Sequence, residues 1–486
     1  MTGLHPRFRE PAAFAPREDY RLLPFRFIRL DEQRYVITND VGEHVVVSRE
    51  QLFAFARHEL PVTDRLYREL KSKHLVFDDD SRAALDLLAL KYRTRAAPIA
   101  NLTGLHIFVV TLRCDHSCHY CQVSRQTEDK TRFDMSRAHA DRAISLVFES
   151  PNPAIKIEFQ GGEPLLNVDL IKHVVLEAER RNVVYRRHLQ FVIASNLTQL
   201  DDEVLAFARD HRIYFSTSLD GPEDLHNAHR SLRAGNSYRA TLEGIARIRA
   251  ALGHDAVSAL MTTTPASLAR VEDIIDEYVA RDFTSIFLRS LSPYGFAIRT
   301  RLIRGYDIAD WIEFYQRGLA HILALNRRGI RLREEVATIA LQKMFAPSGS
   351  SYVDLQSPAG LAIGALVYNY DGKIYGSDEG RMLAEMGDHS FCLGNLDDAT
   401  FASVMTDDGL HEVLEDSLPE SAPMCADCGF VPWCGADPTF HRATQRDVVG
   451  HKAFSAFCAK QMAVLRHLVT LLEDDAEARR ILVSWV

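Results

Sequence analysis

Three cysteines, Cys114, Cys118 and Cys121, stand in the spacing C-x-x-x-C-x-x-C directly after a run of β-forming residues. Three thiolates this close together suit a four-iron iron-sulfur cluster in which one iron has no protein ligand, because a fully ligated cluster of this kind uses four thiolates. The open iron can then bind a small molecule. The triad could also hold zinc if His116 or His119 gave a fourth ligand, so the spacing alone leaves zinc as the lesser alternative.

The composition limits the protein class. A chain of 486 residues predicts about three domains. Its 57 basic and 66 acidic residues give a net charge of -9 without a long basic stretch, which argues against nucleic-acid binding. Because the first residues lack a secretory signal and no apolar run is long enough for a membrane span, we expect a cytoplasmic protein without membrane partners. In that reducing compartment eight cysteines indicate bound metal more than disulfides.

The elements that must position the triad form a regular series from about residue 104. Short β-rich runs alternate with amphipathic helical stretches, which predicts a parallel sheet with helices outside. The runs are LHIFVVTL, IKIEFQ, LQFVIAS, IYFSTSL, AVSALMTT and SIFLRSL. We therefore predict an α/β fold built on a partial (β/α)6 TIM barrel. Loops at the carboxyl ends of the strands carry the chemistry in such folds, and the triad follows the first strand there.

Two further regions flank this core. Segments PFRFIRL, RYVITND and EHVVVS, followed by two helical stretches, predict a small winged-helix-like α+β module over residues 1–95. The core is predicted over residues 96–345. Residues 346–486 have an irregular pattern that predicts short hairpins and loops held by bound metal, followed by a terminal helix.

A second motif, Gly161-Gly162-Glu163-Pro164, ends the second predicted strand. Paired glycines let the backbone approach a ligand closely, and the carboxylate can receive an ammonium group. Such a tetrapeptide alone is a common turn. Together with the cysteine triad, in this order and spacing, it resembles the motifs of the radical S-adenosylmethionine (SAM) family.

The resemblance implies a cofactor and a reaction. The triad would ligate a 4Fe-4S cluster whose fourth iron chelates the amino and carboxylate groups of SAM. Tyr120 would neighbour the adenine, and Gly161, Gly162 and Glu163 would take the methionyl amine. Reductive cleavage of SAM would give a 5'-deoxyadenosyl radical that removes a hydrogen atom from a substrate.

Further residues match the peptide- and protein-modifying branch of this family. The run Ser218-Leu219-Asp220-Gly221-Pro222, followed by Arg230, resembles a motif after the fourth strand, in which Ser218 would meet the SAM ribose. Asn196 lies in SNLT, where that branch often has Thr-Asn-Gly. Arg239 and Arg289 could reach the SAM carboxylate or the substrate, although an arginine at a strand end is as often structural.

The carboxyl-terminal region resembles the SPASM extension of these maturases, which usually holds two auxiliary 4Fe-4S clusters. Cys425, Cys428 and Cys434 match C-x-x-C-x5-C, and Cys458 follows 24 residues later, where the last ligand is expected. Four thiolates imply a fully ligated cluster, which transfers electrons or stabilises the fold. The protein would thus carry SAM and two 4Fe-4S clusters.

The other auxiliary cluster of this extension is predicted to be lost. Ser357, Ser377 and Pro438 stand where its cysteines would be, and neither serine nor proline replaces a thiolate on iron. Cys392 is off the motif and is expected to be free. Asp378 matches an acid that can accept a proton from the substrate, but a turn aspartate is an equal alternative.

The amino-terminal module resembles the small precursor-recognition domains of peptide maturases, which add a leader peptide as an extra strand. Its helices, residues 48–58 and 63–73, would form the groove, although an inert cap is possible. The whole arrangement resembles the maturase B family of the His-Xaa-Ser repeat system. That resemblance implies a ribosomally made precursor peptide as substrate, a second radical SAM maturase as partner, and an electron donor such as flavodoxin or ferredoxin.

The modification remains open at this stage. We prefer a carbon-centred cross-link, because a retained auxiliary cluster that accepts an electron favours net oxidation. The alternatives are another radical SAM modification, namely epimerisation, thioether or formylglycine formation, and a non-catalytic zinc-binding peptide scaffold.

Overall fold

The computed structural model describes residues 20–78, 83–233, 235–295, 305–348 and 352–486. The amino-terminal residues that lack a secretory signal lie outside this range. The strands, in chain order, are β1 (Arg21–Leu22), β2 (Arg26–Arg29), β3 (Arg34–Thr38), β4 (His44–Ser48), β5 (Val76–Phe77), β6 (Leu105–Thr111), β7 (His116–Cys118), β8 (Ala154–Gly161), β9 (His188–Ala194), β10 (Ile213–Ser218), β11 (Arg230–Leu232), β12 (Val257–Thr262), β13 (Ser285–Ile286), β14 (Leu288–Arg289), β15 (Arg333–Glu334), β16 (Ala365–Tyr368), β17 (Lys373–Tyr375) and β18 (Cys392–Asn395).

Helices cover much of the remaining described chain. They are α1 (Arg49–Ala56), α2 (Arg65–Ser72), α3 (Ala83–Ala96), α4 (Lys130–Phe133), α5 (Arg137–Glu149), α6 (Val168–Tyr185), α7 (Asp202–Asp210), α8 (Glu223–His229), α9 (Ser237–Leu252), α10 (Val271–Ala280), α11 (Ile308–Arg327), α12 (Glu335–Phe345), α13 (Asp378–Ala384), α14 (Phe401–Met405), α15 (Asp408–Asp416), α16 (Pro438–Gln445), α17 (Ala456–Asp474) and α18 (Ala476–Val483). Single 3-10 turns lie at Ala97–Asn101, Pro164–Asn167, His254–Ala256, Val353–Leu355, Val431–Trp433 and Lys452–Phe454.

A mostly parallel sheet forms the centre of the described chain, in the order β14-β12-β10-β9-β8-β6-β16-β17-β18. The six β-rich runs all form strands, and β6, β8, β9, β10, β12 and β14 are parallel neighbours. Helices α5, α6, α7, α9 and α10 connect them as expected. The prediction of an α/β fold on a parallel core is confirmed, and the cysteine triad follows β6 at the carboxyl edge.

The carboxyl-terminal region extends this sheet, which the sequence pattern did not reveal. Strand β16 pairs in parallel with β6, and β16, β17 and β18 then form antiparallel hairpins. The predicted hairpins are therefore present, but they belong to the central sheet. They place helix α13, which begins at Asp378, beside the core.

The amino-terminal sheet, in the order β2-β3-β4, packs on both faces. On one face Ile37, Val45 and Val47 share a small core with helices α1 and α2, and on the other Val36 and Val46 join the main core. The strands and helices predicted there are observed, while the division of the chain at residues 95 and 345 stays a prediction. None of the described helices is long and apolar enough to cross a membrane.

Candidate active site

A buried ion pair anchors the loop that carries the first cysteine triad. Arg113 precedes Cys114, and its Nε and Nη2 donate to the two carboxylate oxygens of Asp134 at 2.7 and 2.8 Å. Thr111 Oγ1 donates to the same carboxylate at 2.6 Å, and Arg113 also donates to the Leu166 carbonyl. Because both charges are largely removed from water, removal of either partner would leave the other uncompensated. Neither Arg113 nor Asp134 was predicted as a site residue from the sequence.

A short ribbon holds the middle of the loop. Strand β7 pairs antiparallel with β11, which sets Cys118 opposite Arg230. Burial raises the pKa of the Cys118 thiol to about 11, although the Arg230 charge opposes the shift. Burial and the nearby Glu163 also raise the pKa of Cys114. Thiols in this environment need a bound cation to stay deprotonated, which fits a metal site.

The spacing of ligand atoms distinguishes an iron-sulfur cluster from a single zinc ion. Zinc bonds to sulfur at about 2.3 Å, so its ligand atoms lie close together. Within the described residues, Cys114, Asp115 and His116 are the one group of three potential ligands whose atoms all lie within 4.8 Å of one another. Cys118 and Cys121 are outside this group. The three thiols of the triad therefore do not all lie within 4.8 Å of one another, which is a wider spacing than the ligands of one zinc ion need.

Hydrogen bonds already engage the two non-cysteine members of that group. The His116 ring nitrogens lie 2.9 Å from Asp115 Oδ1 and 2.8 Å from Ser237 Oγ. Asp115 also accepts from Asn196 Nδ2 at 2.7 Å and Gln199 Nε2 at 2.9 Å. His119 is exposed, and its backbone amide donates to a carbonyl of helix α8. The residue set therefore fits a cluster held by three cysteines.

The paired glycines are required by the close approach of two chain segments. A Cβ on Gly161 would lie 1.9 Å from the Thr111 carbonyl oxygen, and one on Gly162 would lie 2.2 Å from that of Arg113. The amides of Gly162 and Glu163 donate to these two carbonyls at 2.8 and 2.7 Å. The glycine motif thus joins the end of β8 to the start of the cysteine loop.

The Glu163 carboxylate is fully buried behind that loop. It accepts hydrogen bonds from the Leu165 amide at 2.9 Å, from Ser195 Oγ at 2.8 Å and from the Asn196 amide at 2.8 Å. Burial raises the pKa of Glu163 to about 7, although these donors lower it. A buried carboxylate in this state gains strongly from an incoming ammonium group.

Tyr120 belongs to a buried polar triad. Its hydroxyl donates to Asp220 Oδ2 at 2.6 Å and accepts from Arg230 Nη1 at 2.8 Å. Asp220 Oδ1 in turn accepts from the Thr262 amide. These bonds fix the Tyr120 ring next to two of the cysteines. Asp220 was missed as a positioning residue, although its place inside the Ser218–Pro222 run was a signal.

The remaining predicted site residues are not all gathered around the first cysteine triad. Ser218 ends β10 and is half-buried, at the carboxyl edge of the sheet. Arg289 ends β14 and lines a separate cavity. Arg239 lies on the exposed side of α9 and pairs with Glu223, so it is not gathered with the other residues. Asp378 accepts from Arg381 Nε and Nη2 at 3.1 and 2.9 Å, so this carboxylate is engaged in an ion pair.

The four carboxyl-terminal cysteines come from two segments that meet. Cys425, Cys428 and Cys434 lie on one looped segment, and Cys458 lies in the first turn of α17. Burial raises the pKa of Cys434 to about 12, and the neighbouring thiols Cys428 and Cys425 add to the shift. The pKa of Cys458 is also raised, first by burial and then by the neighbouring Cys428 thiol. Mutual proximity of buried thiols fits a second metal centre.

The positions of the predicted lost cluster have local structural roles. Ser357 Oγ donates to Glu420 at 2.6 Å, Ser377 caps α13 by accepting from the Gly380 amide, and Pro438 opens α16. Cys392 lies in β18, and its thiol donates to the Gly394 carbonyl at 3.6 Å.

The amino-terminal sheet contacts the loop of the second cysteine group. Phe27 forms a parallel bridge with Cys428, Thr38 Oγ1 donates to the Gly429 carbonyl at 2.7 Å, and Trp433 Nε1 donates to the Gly42 carbonyl at 3.0 Å. Strand β2 therefore has its outer edge against this loop. Strand β4 is at the opposite edge of the sheet.

Comparison with known proteins agrees with this geometry. Residues 108–278 match the Radical SAM superfamily. This match covers about a third of the chain, which is similar there to radical SAM domains. The matched segment starts within β6 and ends within α10, so it includes the first cysteine triad, the glycine motif and the Tyr120–Asp220–Arg230 triad. The match supports an enzyme, and similarity to this superfamily implies SAM and a 4Fe-4S cluster as cofactors.

Relatives of the radical SAM domain and its surroundings include protein-modifying enzymes. An uncharacterized protein of Methanocaldococcus jannaschii is 29% identical over 189 residues, which are 38% of this chain and 62% of that protein. The cysteine-type anaerobic sulfatase-maturating enzyme of Clostridium perfringens is 20% identical over 337 residues, or 66% of this chain and 84% of that enzyme.

Two solved structures share the fold. Native anSMEcpe with bound AdoMet has a TM-score of 0.63 at 16% identity, covering 78% of this chain and 99% of that one. Streptococcus suis SuiB bound to the precursor peptide SuiA has a TM-score of 0.53 at 13% identity, covering 91% and 99%. At these identities the likeness concerns the fold, including the parts outside the radical SAM domain.

Proposed function

We propose that the protein is a radical SAM peptide maturase in which Cys114, Cys118 and Cys121 hold the SAM-binding 4Fe-4S cluster. The observation that carries this proposal is that the three thiols lie at the carboxyl edge of the sheet, beside the buried Glu163, within the radical SAM domain. When bound, the cluster and SAM supply a 5'-deoxyadenosyl radical that removes a hydrogen atom from the peptide.

The residues around the triad would bind and orient SAM. Glu163 would receive the methionyl ammonium, since its buried carboxylate lacks a positive partner among its described hydrogen bonds. Asn196 would support that carboxylate through its amide, and Ser218 would meet the ribose. Tyr120 would lie beside the adenine, with its ring held by Asp220 and Arg230.

The second cysteine group would hold an auxiliary cluster. Four thiolates, from Cys425, Cys428, Cys434 and Cys458, leave no open iron, so we assign this cluster to electron transfer or structure. An acceptor for one electron favours a net oxidation. We therefore prefer formation of a carbon-centred cross-link, with flavodoxin or ferredoxin as the external electron donor.

The substrate we propose is a ribosomally made precursor peptide of the His-Xaa-Ser repeat type, modified together with a second radical SAM maturase. Support comes from the resemblance of the chain to that system and from SuiB, whose structure contains its precursor peptide. The module of residues 1–95 would bind the leader at the edge of β4. Residues 96–345 would carry the reaction, and residues 346–486 would hold the auxiliary cluster. Within this last region Asp378, oriented by Arg381, would accept a proton from the substrate.

A sulfatase-type formylglycine maturase is the second candidate, favoured by the likeness to anSMEcpe. Against it stand the substitutions at Ser357, Ser377 and Pro438 and the additional amino-terminal module. A zinc-binding scaffold is disfavoured because the three thiols of the first triad do not all lie within 4.8 Å of one another.

Anaerobic reconstitution tests the proposal. We expect about eight irons per chain, and 5'-deoxyadenosine once SAM and a reductant are added. About twelve irons would contradict the loss of one auxiliary cluster, and about four would contradict the second site. Zinc in place of iron, with SAM unchanged, would replace the enzyme proposal by the scaffold.

Hydrogen exchange tests the leader site without removing the module, which matters because the module also contacts the second cysteine loop. Binding of a leader peptide as an added strand should slow exchange of the amides of residues 43–48. Unchanged exchange there, with the leader bound, would show that the β4 edge is not the recognition surface.

A further inference from the structure

A chain of buried hydrogen bonds runs behind the first cysteine triad and ends at the loop that carries it. Its members are Asp220 after β10, His226 in α8, Ser237 at the start of α9 and His116 in β7. The last three residues are at most 2% exposed. The proposed function assigns no task to Ser237 or His226.

The direction of this chain is fixed at its Asp220 end. The Asp220 amide donates to His226 Nδ1 at 3.3 Å, so this nitrogen has a lone pair and no proton. Burial lowers the pKa of His226 to about 2, so the ring is neutral and its one N–H is on Nε2. Nε2 lies 3.1 Å from Ser237 Oγ, and it therefore donates to this oxygen.

Ser237 transmits the direction to His116. Its hydroxyl has one further hydrogen-bond partner among the described residues, which is His116 Nε2 at 2.8 Å. Since Ser237 Oγ already accepts from His226, its O–H donates to His116 Nε2. The network therefore assigns the proton of the His116 ring to Nδ1, which donates to Asp115 Oδ1 at 2.9 Å.

The opposite tautomer of His116 would be costly. With the proton on Nε2, His116 and His226 would both donate to Ser237, and its buried hydroxyl would have no acceptor among the described residues. The Nδ1 lone pair would also face Asp115 Oδ1 at 2.9 Å. Asn196 Nδ2, 2.9 Å from Nδ1, could then donate to it, but the unpaired hydroxyl and the facing oxygen would remain.

This tautomer decides whether His116 can bind a metal ion. Potential ligand atoms of Cys114, Asp115 and His116 lie within 4.8 Å of one another, close enough for a single zinc ion. A histidine ligates a metal through a ring nitrogen with a free lone pair. Here Nδ1 carries the proton and the Nε2 lone pair accepts from Ser237, so neither nitrogen is free.

We propose that Ser237, directed by His226, is a positioning residue that prevents His116 from ligating zinc and so keeps Cys114 available for the iron-sulfur cluster. The proposal rests on the proposed function, which assigns the first cysteine triad to a 4Fe-4S cluster, and it adds a basis for metal selection. Because divalent zinc binds nitrogen and sulfur ligands more tightly than divalent iron does, a free His116 would favour the wrong metal.

The test reconstitutes the full-length chain anaerobically with iron and sulfide at increasing zinc concentrations, and counts both metals per chain. The zinc tolerance is the zinc concentration that displaces half of the about four irons of the first cluster. The second cysteine group is the same in all variants, so differences between variants report the first triad.

We expect the zinc tolerance to fall about tenfold in Ser237→Ala, because the outer partners of a histidine ligand change metal affinity by about 10–100-fold. Ser237→Thr keeps the hydroxyl and should behave like the natural protein. His226→Phe should act in the same direction as Ser237→Ala, because the Ser237 hydroxyl can then accept from His116 as readily as it donates.

A double variant separates the tautomer from a general loosening of the loop. Ser237→Ala/His116→Phe should return to the natural zinc tolerance, since no imidazole remains at the site. Ser150→Ala is the matched control, because Ser150 is also fully buried and donates to the Thr103 carbonyl at 2.6 Å, before β6, whereas the triad follows β6. Its zinc tolerance should not change.

Equal zinc tolerance of Ser237→Ala and the natural protein would overturn the proposal and leave the proposed function intact. A double variant as sensitive to zinc as the single variant would do the same. Absence of iron from the natural protein reconstituted without zinc would instead overturn the proposed function and, with it, the basis of this proposal.

Discussion

The buried pair of Arg113 and Asp134 gives the most direct test of how the cysteine loop is held. Their side chains are 5% and 17% exposed, and Asp134 accepts three hydrogen bonds of 2.6 to 2.8 Å. Asp134→Ala leaves a buried guanidinium without its carboxylate, which typically costs about 3–5 kcal/mol. At the lower limit, about 3 kcal/mol, the locally open population of the loop rises about hundredfold.

Hydrogen exchange followed by mass spectrometry measures this opening. The informative amides are those of Leu112, Gln126 and Met135, which donate to carbonyls across the loop at 3.0, 2.7 and 3.0 Å. We expect exchange of peptides that contain them to become about hundredfold faster in Asp134→Ala. The double variant Arg113→Met/Asp134→Leu should recover much of the protection, because no buried charge remains unpaired.

Glu203→Ala is the control, since it removes an ion pair with Lys172 in which Glu203 is 79% exposed. Exposed pairs contribute about 0–1 kcal/mol, so exchange in the cysteine loop should not change. Exchange in Asp134→Ala within threefold of the natural protein would refute the reasoning, as would a double variant less protected than the single one.

Three further outcomes are expected. Replacement of all three cysteines of the first triad by alanine should abolish 5'-deoxyadenosine formation, measured by chromatography, and remove about four irons per chain, measured by iron assay. The control variant Cys392→Ala should change neither quantity. Gly161→Ala should lower soluble yield and SAM binding, because its Cβ would lie 1.9 Å from a carbonyl oxygen of β6, while Gly305→Ala, with open space around it, should behave like the natural protein. Trp433→Phe loses one hydrogen bond to the amino-terminal sheet and should destabilise its docking by about 1 kcal/mol, seen as faster amide exchange in residues 38–48; unchanged exchange would contradict that role.

The sequence predicted the repeating part of the fold well, because buried parallel strands are continuous apolar runs. All but the first residue of β6 are buried, and its run LHIFVVTL is unmistakable. It did not predict that β16 would join β6, because that pairing connects residues about 260 positions apart and is set by the shape of the whole sheet.

The sequence indicated which residues lie together where chemistry fixes the residue type, and it did not where geometry decides; the roles of the site residues stay predictions. The motifs marked Glu163 and Tyr120, which the structure brings near the triad. Arg113 and Asp134 gave no signal, because an ion pair between distant segments has no local pattern. Arg239 was a plausible ligand by charge, yet its position on an exposed helix face directs it to Glu223.

The junction between the amino-terminal sheet and the second cysteine loop limits how this enzyme can be re-engineered. Its contacts involve backbone atoms of Gly42 and Gly429, and a Cβ on Gly429 would lie 2.9 Å from the Ile28 amide nitrogen. The two surfaces therefore fit as one unit. A chimera that takes its amino-terminal sheet from another protein must import residues 425–434 with it, so these two segments, far apart in sequence, form a single exchangeable part.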